Sequence, residues 1–321
     1  MLSLHRCFTA AGRAALLQRA HQLLPLQQQC LSTAAAAAAP PPPTAHDMER
    51  HIAVLQAETR EALARADFEG AHSAAQACLE TSEAHFGRAH AATACALNNA
   101  GQVHRQRGRL AEALPLLQDA VEAYRAACGE EHASTAQAQA NLGLLHAALA
   151  QRSKGVERLE HVESAQALLE RALASKRKAL GEDHAQVGVA MYQLASAVRL
   201  QRRHAAAEAL LLEAVARLRA AEGARLALAT ALNNLGLLRK ELGQHASAQE
   251  AYREALQLRV AQLGEGHPDS LTSLHNLAEC VRAGGDEEGA QRLQRSILRL
   301  MGHKEEGEGA GEAAAEGPQS K

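Results

Sequence analysis

The chain repeats itself with a period close to 42 residues, and this limits its fold more than any other feature. Five glycines carry the period: Gly87, Gly129, Gly181, Gly223 and Gly264, in steps of 42, 52, 42 and 41. Four of them are followed three residues later by a histidine: His90, His132, His184 and His267. A second column, Asn99, Asn141, Gln193, Asn234 and Asn276, keeps the register independently. Two residues beyond it stands a small side chain in every unit: Gly101, Gly143, Ala195, Gly236 and Ala278. Further small positions follow at Ala113, Ala165, Ala207, Ala248 and Ala290, each four residues before Leu117, Leu169, Leu211, Tyr252 or Gln294. A period of this length is the mark of stacked supersecondary units.

Composition says what the units are made of. Hydrophobic residues make up 47 %, supplied mostly by Ala and Leu, while aromatics are only 2 %. Alanine favours helix and disfavours strand. The columns fit pairs of antiparallel helices, such as Thr93–Arg107 followed by Leu110–Cys128, with Gly108, Gly243 and Gly285 at the turns between them. Small residues let two helices approach, and the Leu or Tyr of the neighbouring column fills the groove. A single pair cannot bury its apolar face, so the pairs stack as a solenoid. The step of 52 contains ten extra residues. The expected place for them is the turn around 151–162, because lengthening a connection costs little closure entropy.

The text ALNNAGQVHRQRG at 96–108, AQANLGLLHAALA at 138–150, TALNNLGLLRKELG at 230–243, SLHNLAEC at 273–280 and LGEGHP at 263–268 resembles the tetratricopeptide repeat in its kinesin-light-chain variety. The resemblance covers about Met48 to Gly302. It implies an all-α, right-handed α-solenoid of about six helix pairs over residues 47–303, with a degenerate first pair whose second helix is Phe68–Phe86. Two features depart from that variety. His-Pro survives only at His267-Pro268, and no heptad region precedes the repeats, as pairing with a motor heavy chain requires.

The ends are different in kind. Residues 1–46 contain no acid before position 47, and Arg6, Arg13 and Arg19 stand among leucines. That pattern is expected of an organelle transit peptide, here residues 1–33, ending at a processing-like Cys30-Leu31-Ser32-Thr33. A mitochondrial address is expected, with a plastid or a cytosolic extension as alternatives. Its removal would leave 31 basic and 36 acidic residues, a charge of −5 instead of −2. The alanine run and prolines of 34–46 read as a linker. Residues 304–321, rich in Gly, Ala and Glu, read as a disordered acidic tail.

Chemistry is hard to find in this sequence. The acidic balance argues against nucleic acid, whose binding needs a basic surplus. No run of about 18 apolar residues spans a membrane, although peripheral association stays open. Six cysteines at 7, 30, 78, 95, 128 and 280 form no CxxC, so neither a disulfide framework nor a zinc site is expected. The repeated histidines read as helix-terminal groups and Cys78 and Cys128 as packing residues. No catalytic residue, metal or cofactor is assigned.

The positive signal is a groove. The resemblance implies that first helices line a concave surface that holds peptides. Four residues after the Gly101 column stand Arg105, Ala147, Arg199, Lys240 and Arg282; three residues before it stand Asn98, Ala140, Tyr192, Asn233 and His275. With Asn99, Asn141, Gln193, Asn234 and Asn276 they form a ladder of amides beside a basic row. Carboxamides can bond peptide backbone as donors and acceptors, and guanidinium groups fork onto carboxylates. The candidate site is therefore Asn98, Asn99, Arg105, Asn141, Tyr192, Gln193, Arg199, Asn233, Asn234, Lys240, Asn276 and Arg282. Its expected partner is another protein presenting an acidic or extended segment; the alternative is a solvated face with binding elsewhere. An import leader joined to such repeats also resembles mitochondrial tetratricopeptide-repeat assembly factors of respiratory complex III. A cytosolic cargo adaptor of the kinesin-light-chain kind is the other reading.

Overall fold

Helix-forming alanines and leucines, punctuated by glycine, give a chain in which every regular element among the described residues is an α-helix. The computed structural model describes residues 44–65 and 67–309, with side chains to 302. The expected transit peptide and most of the linker lie outside these residues, as do positions 310–321 of the tail. The helices are α1 (Ala45–Ala64), α2 (Phe68–Phe86), α3 (Ala91–Gln106), α4 (Leu110–Cys128), α5 (Ala133–Arg152), α6 (Gly155–Leu180), α7 (Ala185–Leu200), α8 (His204–Ala220), α9 (Arg225–Glu241), α10 (His245–Leu263), α11 (Pro268–Ala283) and α12 (Glu287–Gly309). The last of them carries helix through 304–309, inside the segment read as tail.

The described residues from Glu49 onward form one compact unit. Within it α3, α5, α7, α9 and α11 each pack against the second helix of their own pair and of the pair before. Successive first helices also touch, α3 with α5, α5 with α7, α7 with α9 and α9 with α11, so they build one continuous face. The degenerate first pair is present: Ile52 and Leu55 of α1 share a buried cluster with Cys78 and Leu79 of α2.

The columns do what their sizes suggest. A Cβ on Gly101 would lie 2.6 Å from Leu117 Cγ, on Gly143 2.8 Å from Leu169 Cγ, and on Gly236 2.9 Å from Tyr252 Cε1. Only glycine allows these approaches. The repeat-ending glycines have φ between +73° and +94°, conformations that side chains disfavour. Of the turns inside a pair, three use Gly108, Gly243 or Gly285 at positive φ, and the corresponding residue of the fourth pair is Arg202 at φ +60°.

The histidine column is a set of helix caps. His90, His132, His184 and His267 each accept the backbone N–H two residues on, at 3.1–3.2 Å, through Nδ1. They satisfy one orphan donor of α3, α5, α7 and α11, the task that Ser or Asp performs in most helices. The hydroxyls of Thr93, Thr135 and Ser270 then donate to the carbonyls of Gly87, Gly129 and Gly264 at 2.7–2.8 Å, closing the preceding turn.

The ten extra residues are not a loop, contrary to the expectation from the sequence. They lengthen both helices of the third pair: α5 has 20 residues against 16 in α3, and α6 has 26 against 19 in α4. Most of QRSKGVERLEHV is good helix former, and a helix satisfies its own backbone where a loop would leave it to solvent. The lengthened hairpin reaches both neighbours. Arg152 donates to the Gly108 carbonyl at 2.9 Å, and Arg158 to the Leu200 carbonyl at 3.3 Å. At its base His146 and His161 bring their Nδ1 atoms to 3.1 Å. Burial first, then His161, pulls the His146 pKa down to about 4, so it is neutral at pH 7.

Candidate protein-binding groove

On α3 the positions 95, 98, 102 and 105 follow helical spacing and share one stripe. None of the four is fully buried, while Ala94, Leu97, Gly101 and Val103 point into the core. Because first helices stack side by side, this stripe continues on α5, α7, α9 and α11 and forms the candidate groove.

The amide ladder exists in part. Asn141 Nδ2 donates to Asn98 Oδ1 at 2.8 Å, and Asn276 Nδ2 to Asn233 Oδ1 at 3.0 Å. Both bonds cross from one pair to the preceding one, so these asparagines tie units together. Gln137 also donates to Asn141 Oδ1, at 3.1 Å. Asn99 turns back to Cys95 Sγ at 3.8 Å. The equivalent rung fails at Gln193, because Ala140 stands where the acceptor amide would be. Gln193 is 8 % exposed and its Oε1 has no hydrogen-bond partner among the described residues. Tyr192 and Asn234 are half-buried on the same face, and burial pushes the Tyr192 phenol pKa up.

The basic row is less uniform than the sequence suggests. Arg199 pairs with Glu241 of the next unit, and Arg282 pairs with Glu279 and, at 3.4 Å, with Glu287. Arg105 holds only the neutral Gln102 Oε1, at 2.9 and 3.1 Å, and burial lowers its pKa. Lys240 is half-buried and has no ion-pair partner among the described residues. Charge left uncompensated on this face therefore belongs to Arg105 and Lys240. Arg199 and Arg282 are taken up by carboxylates that their columns do not reveal.

Two cations that the reading of first helices passes over complete the picture. Lys176 of α6 is 3 % exposed; its Nζ lies 3.0 Å from Gln137 Oε1 and 3.5 Å from Gln186 Oε1. Burial alone draws its pKa down to about 8. Arg259 of α10 is 7 % exposed and donates to the Asp269 carbonyl at 2.9 Å, to Ser273 Oγ at 2.8 Å and to Thr230 Oγ1 at 3.4 Å. Burial lowers its pKa as well. Each cation reaches from a second helix to the first helices of its own pair and the next. The sequence signal was available: both stand seven residues after the Leu117 column, where Tyr124 and Leu218 occupy the second and fourth pairs.

No residues in this arrangement form a nucleophile with a base. Among the described residues no three His, Cys, Asp or Glu side chains gather as metal ligands, and no helix is long and apolar enough to cross a membrane. What the face offers is amide donors and acceptors, hydroxyls and cations in series, which is chemistry for holding a polar chain.

The comparisons bear on the repeats and their fold. A sequence profile of the tetratricopeptide repeat matches residues 92–162, 157–220 and 227–301. Among solved structures, the kinesin light chain nearly identical TPR-like repeats of Podosopora anserina are 22 % identical, with TM-score 0.50, covering 65 % of this chain and 95 % of that one. BtubC (BKLC) of P. vanneervenii is 20 % identical, with TM-score 0.53, covering 87 % and 96 %. A thermophilic TPR protein of Thermus thermophilus is 15 % identical, with TM-score 0.52, covering 72 % and 98 %. These likenesses establish the fold. No curated protein matches the chain.

Proposed function

We propose that this chain, which belongs to the tetratricopeptide-repeat family, is a non-catalytic scaffold that binds another protein through its first-helix face. The occupant is an acidic or extended segment of that protein. The observation that carries this reading is the pair Arg105 and Lys240, two cations on one face with no carboxylate partner among the described residues. Cations in a partly desolvated surface act together on an incoming anion, where one exposed ion pair contributes about 0–1 kcal/mol. Reversing both charges, Arg105→Glu with Lys240→Glu, tests it. Helicity should persist while partner recovery collapses; unchanged recovery rejects the groove.

The proposed place of action is the mitochondrion, in the matrix or on the matrix face of the inner membrane, and the proposed task is assembly or maintenance of an inner-membrane respiratory complex, complex III. The acid-free, arginine-bearing residues 1–33 support this address. Fractionation of a C-terminally tagged chain with N-terminal sequencing tests it. A mitochondrial product beginning near Ser32 supports import; a cytosolic product beginning at Met1 removes the respiratory role.

A cytosolic cargo adaptor is the second reading. It is favoured by the kinesin-light-chain text itself, ALNNAGQVHRQRG and LGEGHP. It requires an intact cytosolic protein that recovers a motor heavy chain.

A further inference from the structure

Beneath the first-helix face, one repeat position of the second helices alternates in character. Tyr124 occupies it on α4, Lys176 on α6, Leu218 on α8 and Arg259 on α10. Tyr124 and Leu218 are apolar fillings in the sense that the interior demands. Lys176 and Arg259 are not: both are more than nine-tenths buried, and their hydrogen bonds go to neutral amide, hydroxyl and carbonyl oxygens. No ion pair joins either one to a carboxylate among the described residues. A buried cation without an ion pair is costly; the Asp269 carboxylate acts on Arg259 only from beyond ion-pair distance, and packing alone gives no reason to place two cations at the same repeat position.

Both are set to receive an anion. Lys176 carries three N–H donors and engages Gln137 and Gln186 with two; Gln186 is exposed and Gln137 half-buried, so two amide side chains lie between the ammonium and solvent. A carboxylate can take the place of either amide oxygen with a stronger, charge-assisted bond. Arg259 has five N–H donors, of which the hydroxyls and the carbonyl engage three. The Lys176 ammonium lies between α5 and α7, and the Arg259 guanidinium between α9 and α11. That is a separation of two first-helix spacings.

We infer that Lys176 and Arg259 are two anion-recognition points of the groove, each gripping one acidic side chain of an extended partner segment. At an interaxial spacing of about 8–10 Å the points lie about 16–20 Å apart, which an extended chain crosses in about five or six residues. The half-buried ring of Tyr192 on α7 lies between them. The preferred segment therefore has an acid, then a stretch that passes Tyr192, then a second acid about five or six positions on. This rests on the groove reading above and adds the register to it.

The test uses the full chain and labelled synthetic peptides with two glutamates in a Ser/Thr/Ala background, read by fluorescence anisotropy. The glutamates are adjacent, about five or six positions apart, or about ten apart. The expected result is binding about tenfold tighter at the middle spacing than with one glutamate. Lys176→Met and Arg259→Met should each reduce that peptide to the single-glutamate level and abolish the dependence on spacing. Equal affinity at every spacing, unchanged affinity in the two methionine variants, or no binding of any peptide would overturn the inference. Each of those results leaves the groove itself to be judged by Arg105→Glu with Lys240→Glu, which bears on partner recovery and not on spacing.

Discussion

The ammonium of Lys176 sits 3.0 Å from the amide oxygen of Gln137, in a position 3 % exposed to solvent, with no carboxylate paired to it among the described residues. Its folded pKa of about 8 lies below the ordinary 10.5. Between these values the unfolded chain binds more proton than the folded one, so this residue makes stability rise with pH across that window. Below about pH 8 the full penalty is present. Lys176→Met should stabilise the chain by about 1–3 kcal/mol at pH 7. Denaturant unfolding should show the gain shrinking toward zero as pH approaches 10.5.

The fit of Gly236 against Tyr252 makes a different demand. A Cβ at Gly236 would meet three ring carbons at 2.9–3.0 Å, and Tyr252 is 1 % exposed, so the ring has no space to yield. Alanine gains about 1 kcal/mol of helix propensity, while overpacking costs about 1–3 kcal/mol or more. Gly236→Ala should therefore lose about 1–2 kcal/mol net, measured by urea unfolding. Gly266→Ala, where nothing lies within 4 Å, is the control and should change little.

The capping histidines can be separated from catalytic ones by substitution. His132 Nδ1 accepts the Ser134 N–H at 3.1 Å, and an asparagine side chain can do the same. His132→Ala should cost about 1 kcal/mol and His132→Asn a few tenths. If both variants were equally destabilised, the cap would not be the reason for the histidine.

Arg202 carries a backbone cost that its counterparts avoid. It sits at φ +60° where Gly108, Gly243 and Gly285 stand in other pairs. Relieving a left-handed residue gains about 1–2 kcal/mol, and the added freedom of glycine in the unfolded chain returns about 0.4–1 kcal/mol. Arg202→Gly should raise stability by about 0.5 kcal/mol, seen as a small rise in Tm.

How much could be read in advance follows from what a column records. Residues such as Gly101, Leu117 and Gly236 answer to packing that recurs in every unit, so their spacing reveals helices, turns and partners in the core. Charge compensation does not recur. Glu241 meets Arg199 from the next unit, and Glu279 meets Arg282 within one helix, so a column of cations looked more uniform than it is. Lys176 and Arg259 do not stand out in the columns of the first helices, because they belong to second helices and lie buried beneath that face. The 52-residue step was legible as an insertion but not as helix. The period records only the number of added residues; their helix-forming composition, and the contacts of Arg152 and Arg158 with the Gly108 and Leu200 carbonyls of adjacent pairs, are not encoded in the spacing.

The central claim is that the first-helix face holds an acidic segment of a partner protein. It is tested most directly by comparing what the tagged wild-type chain and the Arg105→Glu/Lys240→Glu chain recover from the same cells, with circular dichroism confirming that both are helical. The expected result is that specific partners of the wild type disappear from the variant while its helicity is unchanged. The same partners, recovered in the same amounts by a folded variant, would contradict it.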